Sequence, residues 1–198
     1  MNKRNFDDVM QSKIQEISAL KTRPTLLLHA CCAPCFTGCI ERLKDVFSVT
    51  VLFYNPNMDS IEEFNVRYNE QVAICNVFGI KCKKIDYNHQ EFLDTVKGKE
   101  KDAEGGARCE SCFDLRLRKT AEQAKELGFD YFATTLTLSP LKNAEKINRI
   151  GTLLDAQIGV NYLPSDFKKK GGYARSIELS KTFNLYRQNY CGCEFSKR

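Results

Sequence analysis

Apolar positions near the start of the chain follow a helical spacing and then give way to an unbroken apolar run. In residues 1–22 the apolar side chains recur three or four positions apart, which predicts an amphipathic helix. Arg23-Pro24 ends it, because the residue before a proline disfavours helical geometry. Thr25–Ala30 is almost continuously apolar and predicts a buried strand.

The rest of the chain alternates between strand and helix patterns. Further strands are predicted at Ser48–Tyr54, Ile80–Tyr87, Asp130–Leu138 and Val160–Leu163. Helices are predicted at Cys35–Phe47, Glu62–Phe78, Glu91–Lys97, Cys112–Leu127, Leu141–Ile158 and Tyr173–Asn184. This order predicts a Rossmann-like α/β fold, a parallel sheet with helices on both faces. We expect residues 25–198 to form one catalytic domain with a C-terminal Cys-Gly-Cys tail, and residues 1–24 a helical extension.

Three predicted loops leave strands at the same edge of such a sheet. The cysteine-rich stretch follows the first strand, Asn55-Pro56-Asn57 follows the second, and Thr137-Leu138-Ser139-Pro140 follows a later one. Ligands of parallel α/β sheets bind at the carboxyl ends of the strands. We therefore expect these loops to form one ligand-binding rim.

Composition and the start of the chain indicate the compartment in which the protein is found. No apolar run approaches the roughly 20 residues of a membrane span, and the charged start has no signal-peptide pattern. We therefore expect a cytoplasmic protein without a membrane partner. In that compartment, ten cysteines favour metal binding or redox chemistry over structural disulfides. The net charge of +5 fits a nucleic-acid partner and fits an ordinary solvated surface equally well.

Eight of the ten cysteines fall into three clusters. The members are Cys31, Cys32, Cys35 and Cys39, then Cys109 and Cys112, then Cys191 and Cys193. Two C-x-x-C groups, each at the start of a predicted helix, lie where thiolates are favoured. Soft thiolates bind zinc or an iron–sulfur cluster, and the spacing fits either. The Cys191-Gly192-Cys193 pair fits a metal ligand set or a redox dithiol, whereas Cys75 and Cys82 fit buried packing.

A thioredoxin-like function is disfavoured by the same residues. Such a protein needs one dithiol and about 100 residues. This chain of 198 residues has further cysteine pairs and continues the strand–helix alternation well beyond that length.

Four long stretches of the chain resemble a known enzyme family. They are His29–Cys35, Gly106–Ile147, Pro164–Lys181 and Leu185–Ser196. In these stretches the chain resembles the QueH-type epoxyqueuosine reductases, the cobalamin-independent enzymes of tRNA queuosine synthesis. The resemblance implies a fold of the adenine-nucleotide α-hydrolase-like group. ATP-using relatives hold phosphate with a glycine- and serine-rich first loop, whereas this loop is Cys-Cys-Ala-Pro-Cys, which favours a metallocofactor over ATP.

The resemblance also implies a reaction and a set of site residues. The reaction is reduction of the epoxide of epoxyqueuosine to queuosine at the tRNA wobble position, with an external electron donor. A [4Fe–4S] cluster is expected on Cys31, Cys32, Cys109 and Cys112. Cys191 and Cys193 are expected to be catalytic, either as a redox-active dithiol or as ligands of an additional mononuclear iron.

Several other residues are weaker candidates. Asp114 and Asp166 fit a second metal or a structural role, and Cys35 fits a spare thiol near the cluster. His29 fits a structural hydrogen bond, and His89 is expected in a loop. Tyr173 and Tyr190 fit base stacking or ordinary packing, and Cys39 fits packing. Basic residues expected to meet RNA phosphates are Arg116, Arg118, Lys119, Lys142, Lys168, Lys169, Lys170, Arg175 and Arg187.

Two further hypotheses remain open from the sequence. One is a tRNA sulfurtransferase-like enzyme on the same fold, which would need the ATP cradle that the first loop lacks. The other is a zinc-stabilised RNA-binding module without catalysis.

Overall fold

The first strand, β1 (Thr25–His29), lies at the centre of the sheet because it is apolar on both faces. Leu26 and Leu28 pack into one hydrophobic core and Leu27 into another, since successive side chains of a strand alternate between faces. The computed structural model describes residues 4–197.

Five parallel strands form the sheet in the order β3-β2-β1-β4-β5. The other strands are β2 (Ser48–Phe53), β3 (Lys81–Lys84), β4 (Tyr131–Thr134) and β5 (Asn161–Tyr162). In the central register, Leu28 lies opposite Val51 on one side and Ala133 on the other. The predicted fold class is confirmed.

Helices cover both faces of this sheet. The first core receives side chains from α1 (Phe6–Ala19), α2 (Ala33–Ile40) and α3 (Ile61–Val77). The second receives them from α5 (Ala107–Glu126) and α6 (Ala144–Ile158). The remaining helices, α7 (Gly172–Thr182) and α4 (His89–Val96), pack on α2 and α5. No helix in the described part of the chain is both long enough and apolar enough to cross a bilayer.

Several predicted boundaries that border the site were wrong, including that of α2, which spans Ala33–Ile40 and not Cys35–Phe47. Two others have a shared cause. Helix α5 begins at Ala107, not Cys112, because Gly106 is its N-cap and the Asp102 carboxylate accepts from the Arg108 amide at 3.0 Å. The predicted strand Asp130–Leu138 ends at Thr134, whose hydroxyl accepts from the Leu136 amide at 3.1 Å and starts a 3₁₀ turn. Both changes come from side-chain capping, which competes with regular backbone pairing.

The helix predicted over residues 1–22 is α1, and its first three predicted residues lie outside the described part. Met10 and Ile17 of α1 are buried in the first core. The Asp7 carboxylate, also buried, pairs with Arg42 and Lys170. Helix α1 is thus attached to the core by both apolar and charged contacts.

Replacing Met10 by alanine tests this attachment. Met10→Ala is expected to lower the free energy of unfolding by about 2–5 kcal/mol, because a fully buried side chain leaves a cavity. Urea denaturation followed by circular dichroism measures the change. Leu20→Ala is the control, since Leu20 is 69% exposed and its loss is expected to cost under about 0.5 kcal/mol. Equal effects of the two substitutions would contradict the burial of α1.

Candidate functional site

The loops that follow β1, β2 and β4 meet at one edge of the sheet. Asn55, after β2, donates its side-chain amide to the Ala30 carbonyl at 2.9 Å. The Cys31 amide donates to the Thr135 hydroxyl, after β4, at 3.4 Å. These two bonds hold the three loops together, so the loops meet at one edge as predicted.

His29 fixes the end of β1 beneath this rim. Its Nε2 donates to the Tyr54 carbonyl at 3.0 Å, and its Nδ1 accepts from the Thr134 hydroxyl at 2.9 Å. This arrangement needs a neutral ring, and burial lowers the pKa of His29 to about 4. The predicted structural hydrogen bond of His29 is therefore present.

Three thiols from the first loop come together. The sulfur atoms of Cys31, Cys32 and Cys35 all lie within 4.8 Å of one another. Cys32 is the N-cap of α2 and Cys35 its third residue, so the first helical turn brings the C-x-x-C thiols together. Hydrogen bonds from Cys32 and then Cys35 hold the pKa of the Cys31 thiol well below its ordinary value. This group is the one cluster of metal-ligating side chains found in residues 4–197.

Two adjoining cavities gather seven of the ten cysteines. The larger, about 360 Å³, is lined by Cys31, Cys32, Cys35 and Cys191. The smaller, about 20 Å³, is lined by Cys109, Cys112, Cys191 and Cys193. Cys191 lines both cavities, so the three predicted cysteine clusters border one continuous site.

Helix α5 supplies the second thiol pair from its first turns. The Gly105 amide donates to the Cys109 sulfur at 3.2 Å. Burial raises the pKa of the Cys112 thiol to about 12, and Arg116 opposes the rise. A thiol in such a place stays protonated unless a positive charge or a metal favours its thiolate.

The Cys-Gly-Cys segment is held firmly at the site. The Gly192 carbonyl accepts from the Asp59 amide at 3.0 Å, and the Cys191 carbonyl accepts from Arg67 at 3.5 Å. Gly192 has a φ of +109°, and a Cβ there would lie 3.3 Å from Arg67 Nη1, so glycine suits both its conformation and its space. Cys193 is buried and Cys191 half-buried. Neither is an idle surface thiol.

Arg116 separates the two cavities and lines both. Only 1% of it is exposed, its Nε donates to the Cys112 carbonyl at 3.3 Å, and its Nη2 has no hydrogen-bond partner among the described residues. Burial disfavours its charge, but the thiols of Cys112, Cys191 and Cys31 outweigh burial and raise the pKa of Arg116. Arg116 was predicted to meet RNA phosphates. The structure instead buries it among thiols.

Several weaker candidates lie away from both cavities. Asp114 pairs with Arg118 within α5 at 3.2 Å, and Asp166 pairs with Lys168 at 2.5 Å. The loop assignment of His89 was wrong, because His89 is the first residue of α4 and donates from Nδ1 to the Pro56 carbonyl. Cys39 and Cys75 are fully buried, as predicted, and Cys82 is half-buried.

Two residues of the site are more central in the structure than the sequence predicts. Cys35 was interpreted as a spare thiol, although its C-x-x-C spacing from Cys32 was the signal that the two would meet. The other is Arg116, which no local motif distinguishes from Arg118 and Lys119 beside it. Only its position on the buried face of α5 sets it apart.

Known proteins match this chain over nearly its full length. The sequence model of the family described as epoxyqueuosine reductase QueH matches residues 26–198. The chain belongs to this family. An epoxyqueuosine reductase QueH of Streptococcus pyogenes serotype M1 is 42% identical over 200 residues, which cover 98% of this chain and 78% of that one. A relative of the same name from Thermotoga maritima is 36% identical, with 87% and 90% covered. The chain is therefore an enzyme of an oxidoreductase family.

Solved structures share the fold at low sequence identity. The U34-tRNA thiolase NcsA from Methanococcus maripaludis, solved with its [4Fe-4S] cluster, superposes with a TM-score of 0.54. It is 12% identical, and the match covers 98% of this chain and 69% of that one. A predicted subunit of a tRNA methyltransferase from Methanocaldococcus jannaschii gives a TM-score of 0.50 at 13% identity, covering 79% and 76%. These likenesses show that the two solved proteins share the fold of this chain.

The unpartnered charge of Arg116 predicts an unusual mutational effect. In reduced, metal-free protein near pH 7, Arg116→Met is expected to leave the free energy of unfolding unchanged or raise it by about 1 kcal/mol, because it removes a buried charge that has no carboxylate partner and lies beside a Cys112 thiol that is protonated at that pH. Guanidinium denaturation in the presence of a chelator measures the change.

Arg67 provides the matched control. It is equally buried, but its Nε donates to Glu63 at 2.6 Å. Arg67→Met is expected to cost about 2–3 kcal/mol, because Glu63 loses its partner in a largely buried place. If Arg116→Met costs as much as Arg67→Met, the guanidinium of Arg116 is not an uncompensated charge.

Proposed function

We propose that the protein reduces the epoxide of epoxyqueuosine to the alkene of queuosine at the wobble position of tRNA, the last step of queuosine synthesis. The reaction breaks both carbon–oxygen bonds of the epoxide, forms a carbon–carbon double bond and releases the oxygen as water. It consumes two electrons and two protons. Family membership supports this substrate, and the gathering of seven thiols around a cavity of about 360 Å³ carries the proposal.

We infer that Cys31, Cys32, Cys109 and Cys112 hold a [4Fe–4S] cluster between the two cavities. Soft thiolates are the ligands that such clusters use, and when bound the cluster supplies single electrons. Cys109 and Cys112 line the adjoining cavity, and the close grouping of Cys31, Cys32 and Cys35 supports a metal site. So does Arg116, because a buried guanidinium without a carboxylate partner is compensated when thiolates bind metal beside it.

The start of α2 supports a metallocofactor over a phosphate ligand. Phosphate sites at helix starts use several backbone N–H groups. Pro34 stands in the first turn of α2 and has no N–H to offer, and the thiols of Cys32 and Cys35 line the cavity on either side of it. The sulfurtransferase hypothesis, which needs ATP, therefore has less support.

A zinc-stabilised module has less support as well. A structural Cys₄ zinc site is closed and leaves no position for a substrate. Here Cys31, Cys32, Cys35 and Cys191 all border a cavity of the size that small-molecule ligands occupy.

Cys191 and Cys193 act directly in the reaction under either of two assignments. As a dithiol, the pair would release two electrons and two protons on forming a disulfide, which an external electron donor would reduce again. As metal ligands, the two thiolates would hold an additional mononuclear iron beside the cluster. Both assignments fit the shared position of Cys191 between the cavities.

Metal content tests the cluster assignment. Protein reconstituted without oxygen is expected to hold about four irons and matching sulfide per chain, with absorbance near 400 nm. Cys31→Ser and Cys112→Ser are expected to lose most of both, because each removes a ligand. Cys75→Ser serves as the control, since Cys75 packs in the first core away from the cavities. Zinc without sulfide in the wild-type protein would overturn the redox assignment.

Conversion of epoxyqueuosine tests the reaction and the last thiol pair together. Iron-loaded protein with a chemical reductant is expected to convert epoxyqueuosine in tRNA to queuosine, measured by mass spectrometry of digested nucleosides. Cys191→Ser and Cys193→Ser are each expected to lower the rate at least 100-fold. If these variants hold about one iron fewer per chain than the wild-type protein, the pair ligates an additional iron. If their iron content is unchanged, the pair is a redox dithiol. Wild-type activity in both variants would contradict any direct role.

A further inference from the structure

Ion pairs divide the nine predicted RNA-contacting residues into two groups. Five of them pair with carboxylates, namely Arg118 with Asp114, Lys119 with Glu91, Lys168 with Asp166, Lys170 with Asp7, and Arg175 with Glu41. The other four, Arg116, Lys142, Lys169 and Arg187, have no carboxylate partner among residues 4–197. Three of those four line the larger cavity, and Lys169 does not.

The cavity lining is therefore positively charged. Among the described residues that line it, the cations are Arg116, Lys142 and Arg187, and the one carboxylate is Glu104. Arg116 is buried, Lys142 is half-buried and Arg187 is exposed, so Lys142 and Arg187 are more accessible to an incoming ligand than Arg116. A concave site lined by one sign of charge attracts ligands of the opposite sign.

An exposed aromatic ring stands beside these cations. Tyr173, near the start of α7, is 37% exposed, and the Arg187 guanidinium lies 5.9 Å from its ring centre. Arg187 uses Nη1 to donate to the Ser180 hydroxyl at 3.1 Å, and its Nε and Nη2 have no partner within the described chain. We call Lys142, Tyr173 and Arg187 the cavity rim.

Tyr190 lines the same cavity but is already engaged. Its hydroxyl donates to Asp59 at 3.2 Å, and the charged ends of Arg67 and Lys197 lie over its ring. Of the two tyrosines considered from the sequence, Tyr173 is the more exposed, and one cation lies over its ring where two lie over that of Tyr190.

We propose that the cavity rim binds the single-stranded RNA that flanks the target nucleotide, with Tyr173 stacking on a neighbouring base and Lys142 and Arg187 contacting phosphates. The proposal rests on tRNA being the substrate of the proposed function. Single-stranded RNA offers both an unpaired base, which stacks on aromatic side chains, and phosphates that need cations. The cavity rim supplies both kinds of contact at the mouth of the thiol-lined cavity.

Binding of an unmodified tRNA transcript tests the proposal without requiring turnover. Lys142→Gln and Arg187→Gln are each expected to weaken binding about 3- to 10-fold and to lower the slope of log affinity against log salt by about 0.7–1, as for one lost phosphate contact. Tyr173→Leu is expected to weaken binding about fivefold or more with an unchanged salt slope, because stacking releases no counterions. Fluorescence anisotropy at several salt concentrations gives both quantities.

Arg175→Gln is the matched control, because it removes the same charge from the protein surface. Arg175 pairs with Glu41 at 2.9 Å and does not line the cavity. It is expected to bind the transcript within twofold of wild type. If Arg175→Gln weakens binding as much as Arg187→Gln, only net charge matters and the proposal fails. Failure of wild-type protein to bind the transcript would also overturn it.

The outcome for the cavity rim is separable from the outcome for the reaction. Cavity-rim variants that bind normally, in a protein that converts epoxyqueuosine, would disprove the binding role of the cavity rim and leave the proposed function standing. Weakened binding by these variants, in a protein without reductase activity, would support the RNA-binding role of the cavity rim and disprove the proposed reaction.

Discussion

Parallel pairing of β1 between β2 and β4 is the constraint on which the site depends. Because all five strands run in the same direction, their carboxyl ends open at one edge, and the loops that follow must share it. Burial of β1 on both faces leaves its register little freedom, since a shift of one residue would exchange the faces of Leu26 and Leu27. His29 is hydrogen-bonded on both sides of β1, so the end of the strand is fixed where the chain continues to Cys31.

The electrostatics of the site follow from burying sulfur and a guanidinium together. Burial favours neutral thiols, whereas a nearby positive charge favours thiolates. Arg116 supplies that charge, since it lines both cavities and forms no ion pair with a carboxylate of the described residues. Arg116 thus favours the thiolate form of the cysteines around it.

Sequence reasoning predicted the fold well because the spacing of apolar residues along the chain follows which side chains are buried. The alternation of strands and helices gave the parallel sheet, and the positions of the loops gave the rim. It failed at Thr134 and Gly106, where a hydroxyl and a glycine cap change the backbone locally. It also could not sort the basic residues, because ion pairs such as Arg175–Glu41 join residues far apart in the chain. Burial of Arg116 depends in the same way on which face of α5 meets the sheet.

The wide separation of the cysteine pairs along the chain sets the order of assembly. Cys31 and Cys32 follow the first strand, whereas Cys191 and Cys193 follow the last helix and are held at the site by contacts that include Asp59 and Arg67. Closing so long a loop costs chain entropy that one metal–sulfur bond does not recover by itself. Unlike a zinc finger, in which the metal organises a disordered chain, this protein is expected to complete its sheet first. Under the proposed cluster assignment, metal insertion would then be a maturation step performed on a folded protein.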